Sequence, residues 1–244
     1  MPGSSGSVAA LVLAAGRGER LGHALPKAFV PIAGRTLLEH SVRALVRSKA
    51  IDWIVPVLAA ADLARWQDLS LGSIEGLAPP VAGGAERQHS MRAGLAELPE
   101  EIEFVAVHDA ARCLVAAEDI RTVVSAARET GAAILGERAR DTIKRVVDGK
   151  IVETPERAAC WAAQTPQVIR RDWLSEAVAA ADRKGLLGTD DAQLIEWLGH
   201  PVEMVEARFP NPKITRPEDL VLAEAMLAKA AGSTAAANTE RDVR

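Results

Sequence analysis

The sequence predicts an α/β fold, a doubly wound, mostly parallel sheet with a β-hairpin arm projecting from it. Three observations carry that expectation. Val8 to Leu13 is a continuous apolar run, which suits a strand covered on both faces, and it ends abruptly in a glycine-rich basic loop. Strand-like and helix-like segments then alternate along the chain, the pattern of parallel strands joined by crossover helices. Finally, Asp141 to Arg157 breaks the alternation with two short β-like runs about Asp148-Gly149, a hairpin turn signal.

Length and composition set the frame. With 244 residues, 48% hydrophobic and 25% charged, the chain can bury a substantial core as one domain, expected over residues 8–230. A net charge of -4 supplies no field to attract nucleic acid, so a small ligand is the expected partner and any anion site must be a local cluster. Cys113 and Cys160 match no zinc or disulfide framework, and no early apolar segment is long enough for a signal peptide or membrane span. A cytoplasmic location without membrane association is the resulting expectation. Residues 1–7 and 232–244 are small and polar without apolar periodicity, and read as flexible ends.

The first loop is the chemical centre of the sequence. Ala14, Ala15, Gly16 and Gly18 carry little or no side chain, so backbone N–H groups can approach an anion, while Arg17, Arg20 and Lys27 surround it with positive charge. That environment suits a triphosphate. No Gly-Lys-Ser/Thr follows, and Leu21 stands where the dinucleotide fingerprint needs its third glycine.

Thr36 and Glu39 form a capping box for a helix whose Leu37, Leu38, Val42, Leu45 and Val46 share one face. Trp53 to Leu58 reads as a strand, placed near an edge or bulge because Pro56 has no N–H for a central ladder. Val81-Ala82 leads into GGAERQHS, where Gly83-Gly84 permit close approach and Arg87 and Ser90 sit at the start of a helix that buries Met91, Leu95 and Leu98. Taken alone, that loop reads as an ordinary surface turn.

Phe104 to Val107 is a compact buried strand running into His108 to Arg112, HDAAR. A carboxylate at the carboxyl end of a parallel strand is where an open sheet holds a ligand or its Mg²⁺, so Asp109 reads as a metal ligand ahead of a turn cap. His108 reads as a residue that packs and orients its neighbours. Ile120, Val123, Val124 and Ala127 supply a covering helix, and Ala132 to Leu135 another strand. An isolated hairpin is only marginally stable in water, so residues 141–157 are expected to pack on a second subunit. Trp161 to Gln167 returns to the sheet, Trp173 to Ala181 is helical, and Thr189 caps a further helix at TDDA. Val202 to Glu206 is a late strand, followed by Asn211 and Lys213 on a loop and by Pro217 at the first turn of a terminal helix. The strand–helix alternation gathers the glycine loops along one edge of the sheet.

The motifs LAAGRGER, PK, GGAERQHS, VHDAAR, DTIK, TPQ, TDDA and NPKITRPEDL resemble, in order and spacing, those of the 2-C-methyl-D-erythritol 4-phosphate cytidylyltransferase family, within the larger nucleotidyltransferase superfamily. The resemblance runs from about Val8 to Leu227 and implies a Rossmann-like homodimer of the non-mevalonate isoprenoid pathway. It implies transfer of CMP from CTP to methylerythritol phosphate with release of pyrophosphate, assisted by Mg²⁺. By the same resemblance Arg20 and Lys27 stabilise the transition state, and Ala14, Ala15, Gly16 and Gly18 line the triphosphate. Gly83, Arg87 and Ser90 fall where cytosine and ribose are held, Ala110 among the nucleotide-binding positions, and Asp109 where Mg²⁺ is held. Arg112, Thr142, Arg157 and Lys213 match the positions around methylerythritol phosphate, Lys213 among the catalytic ones, and Thr165 lies beside both substrates.

Two positions depart from the family pattern: Cys113 replaces the usual proline after VHDAAR, and NPK replaces NIK, so Pro212 removes a backbone donor beside Lys213. A ribitol 5-phosphate cytidylyltransferase is the nearest alternative, although that branch more often reads AGG, DAVR and SDA at the corresponding motifs. A non-catalytic nucleotide-binding protein is the alternative from another class, and it gives no reason for Arg20, Lys27, Asp109 and Lys213 to occur together.

Overall fold

The computed structural model describes residues 6–16 and 18–241, with the backbone alone for Glu19 and for residues 230–241. Arg17, and the extreme ends expected to be flexible, lie outside the described residues. The first strand, β1 (Ser7–Ala14), sends alternate side chains to opposite faces. Val8, Ala10 and Val12 enter one core cluster, Ala9 and Leu11 the other, and all are fully buried. A small hairpin of β2 (Pro31–Ile32) and β3 (Arg35–Thr36) leads to α1 (Leu37–Ser48). The capping box is formed: the Glu39 amide donates to the Thr36 hydroxyl at 3.2 Å, and the Thr36 amide to the Glu39 carboxylate at 2.8 Å. Leu37, Leu38, Val42 and Leu45 are buried, whereas Val46 is 37% exposed because it lies at the margin of the stripe.

β4 (Trp53–Leu58) pairs in parallel with β1 and has only the two-residue β5 (Val81–Ala82) beyond it. Pro56 fits for a local reason. The Ile54 amide donates to Gly76, away from β1, so the Pro56 nitrogen two residues on faces the same side, between the Ile54–Leu77 bridge and the Val57–Val81 pairing. Its missing donor falls in that gap.

The chain continues through α2 (Arg87–Ala96), β6 (Ile102–Asp109), α3 (Ala117–Thr130) and β7 (Ala132–Arg138). Next comes the arm, β8 (Arg145–Val147) and β9 (Lys150–Glu153), which pair only with each other. Asp148 and Gly149 have φ of 48° and 75°, the paired left-handed conformations that a two-residue hairpin turn of this hand requires. After the arm come β10 (Trp161–Arg170), α4 (Arg171–Lys184), α5 (Asp191–Trp197), β11 (Glu203–Glu206) and α6 (Pro217–Arg241).

The main sheet has seven strands in the order β11-β7-β10-β6-β1-β4-β5. Only β10 runs antiparallel to its neighbours. α1 and α3 cover one face, α2, α4 and α5 the other. A third cluster of Leu21, Val30, Ile32, Leu37, Cys113, Ile214 and Ala223 seals the end where the loops after β1 and β6 meet the start of α6.

Three local expectations are corrected. Ser7 already belongs to β1, so the N-terminal end is ordered one residue earlier than its composition suggested. The α6 backbone continues to Arg241, past the point where a frayed tail was expected. The cap of α5 is Asp190, not Thr189: the Asp190 carboxylate accepts from the Gln193 amide at 3.0 Å, and the Gln193 side chain reaches back to the Thr189 amide at 2.9 Å.

Candidate active site

The carboxyl ends of β1, β5 and β6 open onto one depression, as expected for ligand sites in open α/β sheets. The loop after β1 is shaped by Gly18, whose φ of 68° is left-handed and at which any Cβ would collide with that of Lys27. Around Gly16 there is open space. In the second loop, a Cβ on Gly83 would stand 2.7 Å from both the Ala15 Cβ and the Ser90 hydroxyl, so the two glycine loops touch only because Gly83 is bare. Ser90 holds its own loop, accepting from the Gly84 amide at 3.2 Å and donating to the Glu86 carbonyl at 3.2 Å.

Two adjoining cavities of about 210 and 260 Å³ share Arg87, Asp109 and Lys213 along their common wall. The first is lined also by Ala14, Ala15, Gly16, Lys27, Ser90 and Ala110, the second by Arg112 and Thr165. Lys27 donates to the Ile214 carbonyl at 3.0 Å. Its pKa is lowered by burial and then by the neighbouring Lys213 charge, with a smaller push from Arg20. Arg20 itself is exposed and lines neither cavity, although its charge acts on Lys27.

At the shared wall, Asp109 accepts from Arg87 Nε at 3.2 Å and pairs with Lys213 Nζ at 2.6 Å. Burial alone would raise its pKa, but Arg87 and Lys213 outweigh burial and hold the carboxyl well below the usual range. Arg87 is gripped from behind by Asp191, with contacts of 2.8 Å and 2.7 Å from its two terminal nitrogens to the two carboxylate oxygens. Burial disfavours the Arg87 charge, yet Asp191 and Asp109 more than offset this and raise its pKa above the ordinary value. The guanidinium is therefore paired with two carboxylates in the wall of the first cavity, beside Ser90.

Thr165 joins three segments: its hydroxyl accepts from the Asp109 amide at 3.1 Å and lies 3.1 Å from His108 Nδ1, while its carbonyl accepts from the Asn211 side chain at 3.0 Å. Burial drives the His108 imidazole down to about 4, so it is neutral near pH 7 and acts as an orienting group. Arg112 donates to the carbonyls of Asn211 at 2.7 Å and Ala163 at 3.2 Å, tying β10 to the Lys213 loop. The Ala111 carbonyl accepts from the Ile214 amide at 2.8 Å, a second tie between the same loops.

Thr142 and Arg157 are not brought to these cavities. Both are exposed at the arm, Arg157 donating to the Arg140 carbonyl at 3.3 Å. Sequence reasoning missed Asp191 and Gln167. The Gln167 side chain, 1% exposed, accepts from the Asp191 and Ala192 amides at 3.0 and 2.9 Å and donates to Asp190 at 2.9 Å, so TPQ locks TDDA in place. The only signal was the pair of motifs itself.

No group of three or more metal-ligating side chains occurs among the described residues. Asp109 is the carboxylate common to both cavities, with Glu86 in the wall of the first and Asp190 in the wall of the second. That donor set fits Mg²⁺, which dehydrates reluctantly and binds through one or two carboxylates plus substrate phosphates.

The family model described as IspD, 2-C-methyl-D-erythritol 4-phosphate cytidylyltransferase, matches residues 8–229. The chain belongs to that family. Among its relatives, the 2-C-methyl-D-erythritol 4-phosphate cytidylyltransferase of Syntrophotalea carbinolica is 44% identical over 91% of this chain and 96% of that protein. The enzyme of the same name from Geobacillus kaustophilus is 41% identical over 90% of this chain and 96% of its own. Two crystal structures share the fold. The 4-diphosphocytidyl-2C-methyl-D-erythritol synthase of Anaerococcus prevotii is 28% identical, with a TM-score of 0.82, covering 92% of this chain and 97% of that one. The Thermus thermophilus cytidylyltransferase is 35% identical, with a TM-score of 0.74, covering 90% and 98%. In this cytidylyltransferase the seven-stranded sheet carries its glycine loops after β1 and β5.

Proposed function

We propose that the joined cavities hold CTP and methylerythritol phosphate on either side of the Arg87–Asp109–Lys213 wall. The chain is a cytidylyltransferase that transfers CMP from CTP to 2-C-methyl-D-erythritol 4-phosphate in the non-mevalonate isoprenoid pathway. The observation that carries the assignment of substrates to cavities is the position of the two lysines, Lys27 in the wall of the first cavity and Lys213 on the wall that both share, close enough for the Lys213 charge to lower the Lys27 pKa.

A phosphate oxygen of the acceptor attacks the α-phosphorus of CTP. The new O–P bond forms as the bond to the bridging oxygen of pyrophosphate breaks, and that electron pair leaves with pyrophosphate. The nucleophile is already ionised, so no general base is required. Catalysis is then positioning plus stabilisation of charge on the α-phosphoryl oxygens and the leaving group. Ala14, Ala15 and Gly16 offer backbone N–H groups to the triphosphate, and Lys27 and Arg20 meet the developing charge. Gly83 and Ser90 shape the base end. Lys213, Arg112 and Thr165 receive the acceptor. Asp109 would hold Mg²⁺, which when bound neutralises phosphate oxygens.

Thr142 and Arg157 serve the acceptor phosphate of a partner subunit. Three observations support this reading: both residues are exposed and line neither cavity of their own subunit, the arm strands pair only with each other among the described residues, and Ile143, Val146, Val147, Ile151 and Val152 are 40–62% exposed on it. A two-fold dimer would cover these side chains and complete two sites at once. Among the described residues no helix is long and apolar enough to cross a membrane, in keeping with a cytoplasmic enzyme acting on water-soluble substrates.

The deciding experiment measures pyrophosphate release from CTP with methylerythritol phosphate and ribitol 5-phosphate side by side. Release with the first and little with the second is expected. Equal turnover of ribitol phosphate would overturn the acceptor assignment, and equal turnover of ATP the nucleotide assignment.

A further inference from the structure

Asp191 stands behind the site, on α5, and lines neither cavity. Its side chain is 1% exposed. Gln167 fixes it from the sheet by accepting its amide, and α5 begins at this residue. Both carboxylate oxygens face the two terminal nitrogens of Arg87, at 2.8 and 2.7 Å. One hydrogen bond, Nη1 to Oδ1, and the close ionic contact beside it turn the terminal nitrogens toward Asp191 and leave Nε as the Arg87 donor directed at Asp109, at 3.2 Å.

We infer that Asp191 is a positioning residue for the metal-binding carboxylate: by occupying the fork of Arg87 it prevents a bidentate Arg87–Asp109 pair, which would mask Asp109 from a divalent cation. The inference rests on the reading of Asp109 as the Mg²⁺ ligand. Its logic is competition for the guanidinium. Arg87 is already paired with Asp191, so a cation arriving with nucleotide phosphates meets a carboxylate whose nearest arginine is engaged elsewhere. With Asp191 neutral, Arg87 has one uncompensated charge and a free fork within reach of Asp109. An arginine–carboxylate fork is a stronger competitor for the cation than a single Nε contact.

The test uses the full chain and Mn²⁺ as the probe, with binding followed by electron paramagnetic resonance in the presence of a non-transferable methylene analogue of CTP. Asp191→Asn should weaken Mn²⁺ binding by roughly 10–100-fold, the range typical of groups that orient a metal's ligands. The double variant Asp191→Asn/Arg87→Gln, which removes the pair together, should bind Mn²⁺ within a few-fold of the wild type, because the arginine that would mask Asp109 is gone and the Lys213 contact is the same one the cation meets in the wild type. Circular dichroism establishes that each variant is folded, and the double variant keeps the test open if the single one is not. Unchanged Mn²⁺ affinity in folded Asp191→Asn, or a double variant as weak as the single, would overturn the inference while leaving the metal assignment standing. A wild-type protein that binds no Mn²⁺ with the nucleotide analogue would overturn the metal assignment and the inference with it.

Discussion

Lys27→Ala is the most direct perturbation of the chemistry. The ammonium is held at the cavity wall by the Ile214 carbonyl at 3.0 Å, and the bare Gly18 lets its stem lie against the first loop. A unit charge about 4 Å from another contributes about 4 kcal/mol at an effective dielectric constant near 20, but only the charge that develops between ground and transition state accelerates the step. Removing one such donor therefore raises the barrier by about 3–4 kcal/mol, a loss of roughly 10²–10³ in kcat. The KM for CTP should move far less. Lys27→Arg should retain part of the rate, since charge survives but geometry does not. The pH profile adds a second signature. Burial, then Lys213, lowers the Lys27 pKa, so the charged form is lost at a lower pH than for an ordinary lysine. In the wild type, kcat/KM should fall on the alkaline side below the normal lysine range, and Lys27→Arg should lack that limb. Steady-state pyrophosphate release measures both. An unchanged kcat with a raised KM would refute the reasoning and reduce Lys27 to ground-state binding.

Four further outcomes follow from the same geometry. Gly18→Ala should cost about 1–2 kcal/mol in urea unfolding from its left-handed backbone, and should also lower kcat because the new methyl displaces Lys27; normal kcat would refute the contact. Because Asp109's folded pKa is depressed, its contribution to stability is present above the unfolded value of about 3.9 and is lost as pH falls through the folded value. The stability gap between wild type and Asp109→Asn, measured by urea unfolding, should accordingly narrow below about pH 4, and a pH-independent gap would contradict the ion-pair assignment. Cys113 is buried and its thiol is pushed up to about 12, while Cys160 is partly exposed, so a disulfide reagent should titrate one thiol in the native protein and both after unfolding. Lys27→Ala and Arg157→Ala dimers should each be nearly inactive, yet co-expression should restore activity through mixed dimers that carry one intact site; no recovery in tag-verified heterodimers would assign Arg157 to its own subunit.

The sequence by itself determined the features whose causes are local. The apolar run of β1, the Thr36–Glu39 capping box, the buried face of α3 and the Asp148-Gly149 turn each depend on residues within a few positions of one another, and each stands in the structure as read. The two glycine loops were legible for the same reason, since a left-handed φ or a bare Cα leaves its mark in residue type. Only the tertiary structure decided the partners of the charges. Arg87 and Asp191 are separated by 104 positions, and whether they meet depends on how α2 and α5 lie on the same face of the sheet. Residue spacing carries no trace of that placement, so the two carboxylates that hold the Arg87 guanidinium were not legible in the sequence. The antiparallel direction of β10 was hidden likewise, because alternation of apolar residues marks a strand without giving its direction. Thr189 and Asp190 are both good caps in isolation. Gln167, reaching from the sheet to the first amides of α5, fixes where that helix begins, and so selects Asp190 as the cap and sets Asp191 against Arg87.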